Sequence, residues 1–280
     1  MSDANRSTAP DRPVLNVAIA GLGAVGMPVA RWLDSGVPGL RLSAVSLRDR
    51  DSAPARLSGF RSLPPVCDPD QLSGQADIVV EALPPALFRQ VAEPALAAGR
   101  ILMPLSVTQL LDNMDLVDLA GQTGGRIIVP TGALLGLDAV RAAAQGEIRS
   151  VRMITRKPPA GLASTPLVQQ RGLDLSALTA PVQLYAGPVR EAARLFPANV
   201  NVAVALALAG VGVDRTGYEV WADPAVDRNI HEIEVEADST RFRMEIAGVP
   251  TAGNPATGRL TPLSTIAALQ GLVSVLRVGS

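Results

Sequence analysis

Residues 21–26 read GLGAVG, a GxGxxG pattern that follows the apolar run VLNVAIA and opens a stretch with helical spacing. Gly21 allows a tight turn, Gly23 lets the backbone meet a pyrophosphate, and Gly26 lets a helix pack on the preceding strand. The free N–H groups and positive dipole end of such a helix favour an anion. Gly21, Gly23, Ala24, Val25 and Gly26 are therefore expected to hold a dinucleotide; the alternative is a glycine turn with no ligand. Farther along, DPAVDRNIHEIEVEA contains His231, the single histidine of the 280 residues. An imidazole, with an unperturbed pKa of about 6.5, can take a proton from an ammonium group or from an attacking water. The plainer alternative is a hydrogen-bonded core histidine, and the alternating acids after it read as a solvated strand face.

Other polar residues define what such a site could hold. At the end of the second expected strand, Asp49 suits the ribose hydroxyls of NAD, whereas Ser46, Arg48 and Arg50 suit the 2′-phosphate of NADP. NAD or NADP is accordingly the expected cofactor. Arg156, Lys157 (the sole lysine) and Arg259 are candidate anchors for a carboxylate, although Arg156 and Lys157 read equally well as a solvated strand end. Asn199 and Asn201 fall in the first turn of the very apolar PANVNVAVALALAG. Capping alone does not require two asparagines there, and both can donate to a carboxylate or a nicotinamide amide.

The elements that must position these groups follow from periodicity. Residues 14–20, 40–47, 76–82, 100–105 and 126–130 read as buried strands, alternating with helical stretches at about 22–35, 86–98 and 107–121. That rhythm implies a doubly wound parallel sheet. After about residue 140 it changes: 150–155, 182–186, 217–221, 230–237 and 241–246 all look like strands. In the last two, Ile233 and Val235, then Phe242, Met244 and Ile246, share one face, while glutamates and arginines share the other. Asp238 and Ser239 supply turn chemistry, so the pair reads as an antiparallel hairpin with cross-strand Glu–Arg pairs. Counting in twos from Ile233 puts His231 on the covered face, at the strand's start, where such a face can open into a cleft. Residues 197–210 read as a buried helix. Thr261 reads as the N-cap of a final helix, with an apolar stripe of Ile266, Leu269, Val273 and Leu276. The fold class is α/β: a Rossmann doubly wound parallel sheet plus a second mixed α/β domain with a largely antiparallel sheet.

Composition bounds the function. A chain that is 48% hydrophobic and 18% charged is a folded protein. A formal net charge of -1 without like-charge blocks argues against a nucleic-acid partner. Cys67 is the lone cysteine, so no internal disulfide or cysteine cluster is possible, and with one histidine no metal site is expected. The polar start MSDANRSTAPDRP does not read as a signal peptide, and the apolar stretch 202–213 is shorter than the ~20 residues a membrane span needs. The expectation is a soluble, cytoplasmic protein without a membrane partner.

The segments TRKPPAGL at 155–162, FPANVNV at 196–202, ADP at 222–224 and NIHEI at 229–233, with PTGA at 130–133 and GLD at 136–138, come in an order that resembles the L-aspartate dehydrogenase family. The resemblance runs from about Val14 to the C-terminal helix. It implies NAD(P)-dependent oxidation of L-aspartate to iminoaspartate, then oxaloacetate and ammonia, and the reverse reductive amination. It also implies that His231 is the catalytic histidine, that Ala133 and Asn201 contact the nicotinamide, and that the protein is a homodimer. Ser106–Leu110 and Thr131 depart from the family pattern. The expected organisation is a disordered tail at 1–13, a dinucleotide-binding domain at 14–133, a substrate, catalytic and dimerisation domain at 134–254, and a helix at 255–280 that returns to the first domain. Two rival functions remain: a same-fold dehydrogenase or imine reductase for another amino acid, and a dinucleotide-sensing protein without turnover.

Overall fold

The computed structural model describes residues 13–197, 200–251 and 254–279. The expected tail at 1–13 lies outside them except for Pro13, and so does Asn199.

In the first half, β1 (Leu15–Ala20) leads through α1 (Gly26–Asp34) to β2 (Leu40–Ser46) and α2 (Ala53–Arg56). The chain then crosses back to β3 (Ile78–Glu81), α3 (Phe88–Ala97), β4 (Ile101–Pro104), α4 (Asp115–Thr123) and β5 (Arg126–Ile127). The strands pair in parallel in the order β2-β1-β3-β4-β5. Continuous apolar runs such as Val17–Ala20 and Ile78–Val80 are fully buried because helices cover both faces of the sheet. The chain leaves β1 toward β2 on one side and returns to β3 on the other. The crevice for a ligand is therefore at the C-terminal ends of these two strands.

The second half contains α5 (Leu137–Ala143), β6 (Ile148–Lys157), α6 (Pro166–Arg171), β7 (Val182–Pro188), α7 (Val189–Leu195), α8 (Asn201–Ala209) and β8 (Thr216–Ala222). It continues with β9 (Ile230–Ala237), β10 (Arg241–Ala247), the small pair β11 (Pro250–Thr251) and β12 (Asn254–Gly258), and α9 (Leu260–Val273). Its main sheet has the order β10-β9-β6-β8-β7, in which β6 and β8 are parallel and the other pairings antiparallel. Side chains of β6 and β9 alternate strictly: Val151, Met153 and Thr155 with His231, Ile233 and Val235 face the core. Helix α8 is apolar all round, with Ala203–Ala207 buried, and it packs against both α5 and α7. Helix α9 lies against α1, and its Leu269 joins the core that contains Val17, Ile19 and Leu33.

Several expected boundaries move, each for a local reason. The helical stretch at 107–121 is a 3-10 segment, Val107–Asp112, followed by α4. The break falls at Asn113, whose side-chain amide donates back to the Gln109 carbonyl at 2.8 Å. The strand at 126–130 ends at Ile127, because residues 130–133 turn to line a cavity. Helix α8 begins at Asn201, four residues later than Pro197. Thr261 is not a cap: α9 begins at Leu260, and the Thr261 carbonyl instead accepts the hydroxyls of Ser264 and Thr265 at 2.8 and 3.0 Å. Leu276 lies past the helix and is 78% exposed, so the stripe stops at Val273. In the hairpin, Arg243 pairs diagonally with Glu232 at 2.6 Å, while Arg152 of β6 takes Glu234 at 2.5 Å and Glu219 at 3.1 Å. The charged face is thus a ladder across β10, β9, β6 and β8.

Candidate active site

At the β1–α1 turn Gly21 has φ +96°, and a Cβ on it would come 2.6 Å from the Ala82 carbonyl oxygen. Only glycine tolerates both conditions. A Cβ on Gly26 would collide with the Gly21 carbonyl, which is how α1 packs so closely on β1. Gly23 differs, for a Cβ there would meet nothing within 4 Å. That open space fits the approach of a pyrophosphate. No acidic residue occupies the first turn of α1, so the dipole end is not neutralised from within.

The crevice widens into a cavity of about 620 Å³ between the two sheets. Val25, Pro104, Leu105 and residues 130–133 form one wall, and Lys157, Asn201, Arg228 and His231 form the polar part of the other. The entry of α8 is tied to the 3-10 segment that follows β4: Asn201 Oδ1 accepts from the Thr108 N–H at 3.0 Å and from its hydroxyl at 2.6 Å. With that oxygen committed, Asn201 has its NH2 left to offer a ligand. A second depression of about 420 Å³ lies at the opposite, N-terminal ends of β1 and β2. Its arginines are engaged, Arg41 with Asn16 at 2.7 Å and Arg100 with Asp77 at 3.6 Å, and it holds none of the expected site residues.

His231 is 4% exposed, and its Nδ1 lies 3.0 Å from Thr155 Oγ1, its register partner on β6. Burial, reinforced by the nearby Lys157 charge, pushes the imidazole down to about 3. Both effects favour the neutral imidazole near neutral pH, where a free one is partly protonated. Lys157 ends β6 on the same buried face, and burial lowers its ammonium to about 8. Of the two residues, it is the amine that changes charge near physiological pH.

The structure brings Val25, Ala133, Lys157, Asn201 and His231 to one cavity. It does not bring Arg156 there: that side chain lies on the opposite face of β6, 5.1 Å over the Trp221 ring and 3.4 Å from Asp223. Strand alternation explains this, since residues 156 and 157 must point opposite ways. Exposed Arg259 is also absent from the cavity lining. Arg48 and Asp49 are exposed just past β2, with Asp49 Oδ1 accepting the Asp51 N–H at 3.1 Å, while Arg50 is paired with Asp68 at 2.7 Å.

Three site residues were missed from sequence. Arg56 donates to the Leu22 carbonyl at 2.8 Å, beside the glycine turn. Arg228 lines the cavity while gripping Asp227 with two 2.7 Å bonds. Glu81, fully buried at the end of β3, accepts from Leu83 N–H at 2.9 Å and from Ser106 N–H and hydroxyl, both at 3.1 Å. It ties together the two loops that border the crevice, and burial raises its carboxyl above the usual range despite those bonds. An acid closing the apolar strand IVVE was the available signal.

A cavity that joins a dinucleotide-binding turn to a neutral imidazole and a buried amine suits hydride exchange between a nicotinamide and a carbon bearing an ionisable group, the chemistry of an NAD(P)-dependent dehydrogenase. Residues 21–130 match the family model for the homoserine dehydrogenase NAD binding domain, and residues 138–272 match that for the aspartate dehydrogenase C-terminal region. The L-aspartate dehydrogenase of Bradyrhizobium diazoefficiens is 54% identical over 95% of this chain and 94% of its own length. L-Aspartate dehydrogenase 3 of Bordetella bronchiseptica is 51% identical over 96% and 99%. The crystal structure of aspartate dehydrogenase from Thermotoga maritima shares the fold with a TM-score of 0.73, at 24% identity, covering 95% of this chain and 99% of that one. The chain belongs to the L-aspartate dehydrogenase family and is an NAD(P)-dependent amino-acid dehydrogenase. Among the described residues no helix is long and apolar enough to cross a membrane.

Proposed function

We propose that the chain oxidises L-aspartate to iminoaspartate, which water converts to oxaloacetate and ammonia, and that it also runs the reverse reductive amination. The observation that carries this is the single cavity in which His231, Lys157, Asn201 and Arg228 face Val25 and Ala133. The substrate named for relatives 54% and 51% identical supports the choice of aspartate. Gly21, Gly23, Ala24, Val25 and Gly26 hold the pyrophosphate, Arg48 and Asp49 the adenosine ribose, and Ala133 and Asn201 the nicotinamide end. Bound NAD(P)+ supplies the acceptor for the α-hydrogen. Arg228, Asn201 and Asn199 offer donors for the two substrate carboxylates. His231 is the catalytic imidazole, and with Lys157 it lies where the protons of the α-ammonium are handled.

A reaction containing oxaloacetate, ammonium and reduced cofactor tests this reading. Consumption of NAD(P)H that requires both substrates is expected. Cofactor binding without consumption would favour a sensing protein instead. We also place the enzyme in the cytoplasm as a homodimer, joined through the outer face of the second sheet, where Ile154 and Trp221 lie half-buried among ion pairs. Sedimentation should return the mass of two chains; a one-chain mass would refute the dimer.

A further inference from the structure

We infer that Thr155 fixes His231 as a neutral hydrogen-bond donor, with its proton on Nε2, and that Lys157 is the base that deprotonates the substrate ammonium. The inference rests on the amino-acid oxidation proposed above and assigns the proton to a particular atom within it.

The first half follows from counting hydrogens in a sealed space. Thr155 and His231 are buried, and the Thr155 hydroxyl meets Nδ1 at 3.0 Å. Tyr218, two register positions from the Thr155 partner on β8 and 1% exposed, has a hydroxyl without a hydrogen-bond partner among the described residues, so it offers Thr155 no second outlet. Suppose Thr155 donates to Nδ1. Its hydroxyl hydrogen then has a destination. Suppose instead that Nδ1–H donates to Thr155. The Thr155 hydrogen is then stranded in a dry interior. An unsatisfied buried hydroxyl is unfavourable enough to bias the tautomers by about tenfold or more. Nδ1 is therefore the bare nitrogen, and Nε2 carries the proton.

An imidazole protonated on Nε2 cannot accept a proton there while neutral. It can donate a hydrogen bond to a substrate oxygen or to the nitrogen that becomes the imine. The proton acceptor must come from another group lining the same cavity. Asp227 is held by Arg228, and Asp223, which receives Arg156, is turned to the outer face. Arg228 is a guanidinium and remains charged. From β9 the titratable neighbour of Lys157 is His231, and from α8 the cavity receives the uncharged Asn201. Lys157, whose ammonium burial lowers to about 8, is the amine that can lose its charge there. In the step assigned to it, one N–H bond of the substrate ammonium breaks and one forms at Nζ. The freed lone pair on the substrate nitrogen then becomes the second bond of the imine as the α-hydrogen leaves with its electron pair to NAD(P)+.

The sequence makes the test unambiguous, because it holds one histidine and one lysine. Long-range 1H–15N spectra of protein labelled with 15N-histidine, without substrate, should show a protonated Nε2 and a bare Nδ1 throughout the folded pH range. A proton on Nδ1, or an imidazolium near neutral pH, would overturn the assignment. In Thr155→Val the proton should redistribute between the nitrogens. An unchanged tautomer in a folded variant would remove Thr155 from the role. Protein labelled with 13C-lysine should titrate at about 8, with the alkaline rise of kcat/KM at the same midpoint. A lysine midpoint near the free value of about 10.4 would refute the base assignment. Lys157→Gln should lower kcat by roughly 10²–10⁴ and leave cofactor affinity intact. Because the spectra need no substrate, failure to oxidise L-aspartate with both signatures present would count against the choice of substrate alone.

Discussion

Replacing His231 with glutamine should flatten the acid limb of the stability curve. In the unfolded chain the imidazole titrates at its ordinary 6.5; in the fold, burial holds it at about 3. Between those values the unfolded state binds more protons, so stability is fully present above about 6.5 and is lost as pH falls toward 3. Each pH unit in that window is worth about 1.4 kcal/mol, so going from about pH 7 to about pH 4.5 should remove about 2.5 kcal/mol through this one residue. Urea unfolding of the wild type and His231→Gln at both values isolates the term, because other groups titrate equally in the two proteins. The wild type should lose about 2.5 kcal/mol more than the variant across the interval. Equal losses would mean that His231 protonates freely in the folded protein. The sealed, neutral imidazole on which both its catalytic role and its assigned tautomer depend would then be wrong. The variant should also turn over roughly 10²–10⁴-fold more slowly with little change in cofactor affinity; full turnover would remove His231 from the chemistry.

Gly23→Val should abolish dinucleotide binding and leave a folded protein, since a Cβ at that position meets no other atom within 4 Å; unchanged NAD(P)H affinity by fluorescence titration would refute the cradle. Arg48→Ala should weaken NADP about tenfold or more relative to NAD if its guanidinium reads the 2′-phosphate, and equal loss for both would show that it does not. Oxidative kcat/KM should rise with pH through about 8, where Lys157 becomes neutral, and then level off; a rise centred near 6.5 would return the titrating role to His231.

The parallel sheet was readable because its strands are continuous apolar runs separated by helical spacing, and the glycine turn was readable because each glycine answers a distinct steric demand. His231 was placed by phase alone: two residues before Ile233, it had to share the covered face. The same alternation should have separated Arg156 from Lys157, since adjacent strand residues cannot face one cavity. The neutrality of His231 was not legible, because it comes from burial by elements distant in sequence and from a lysine 74 positions earlier. Arg56 escaped for a related reason: it reaches the Leu22 carbonyl, which the tertiary fold sets beside it. Arg228 bonds its own neighbour Asp227, and its place in the cavity comes from the tertiary fold. Glu81 carried a local signal, as the acid that ends the apolar IVVE, but its distant partner Ser106 did not. Helices α5, α6 and α7 have six or seven residues each, too few to display a helical period beside strands of similar length.

The most direct test is the initial rate of NAD(P)H formation across a panel of L-amino acids, with each cofactor in turn. The account predicts that L-aspartate is oxidised fastest, well ahead of L-glutamate, L-asparagine and L-alanine, because two carboxylates and one ammonium together match Arg228, Asn201 and Lys157 around His231. Faster turnover of another amino acid, or none with any, would contradict it.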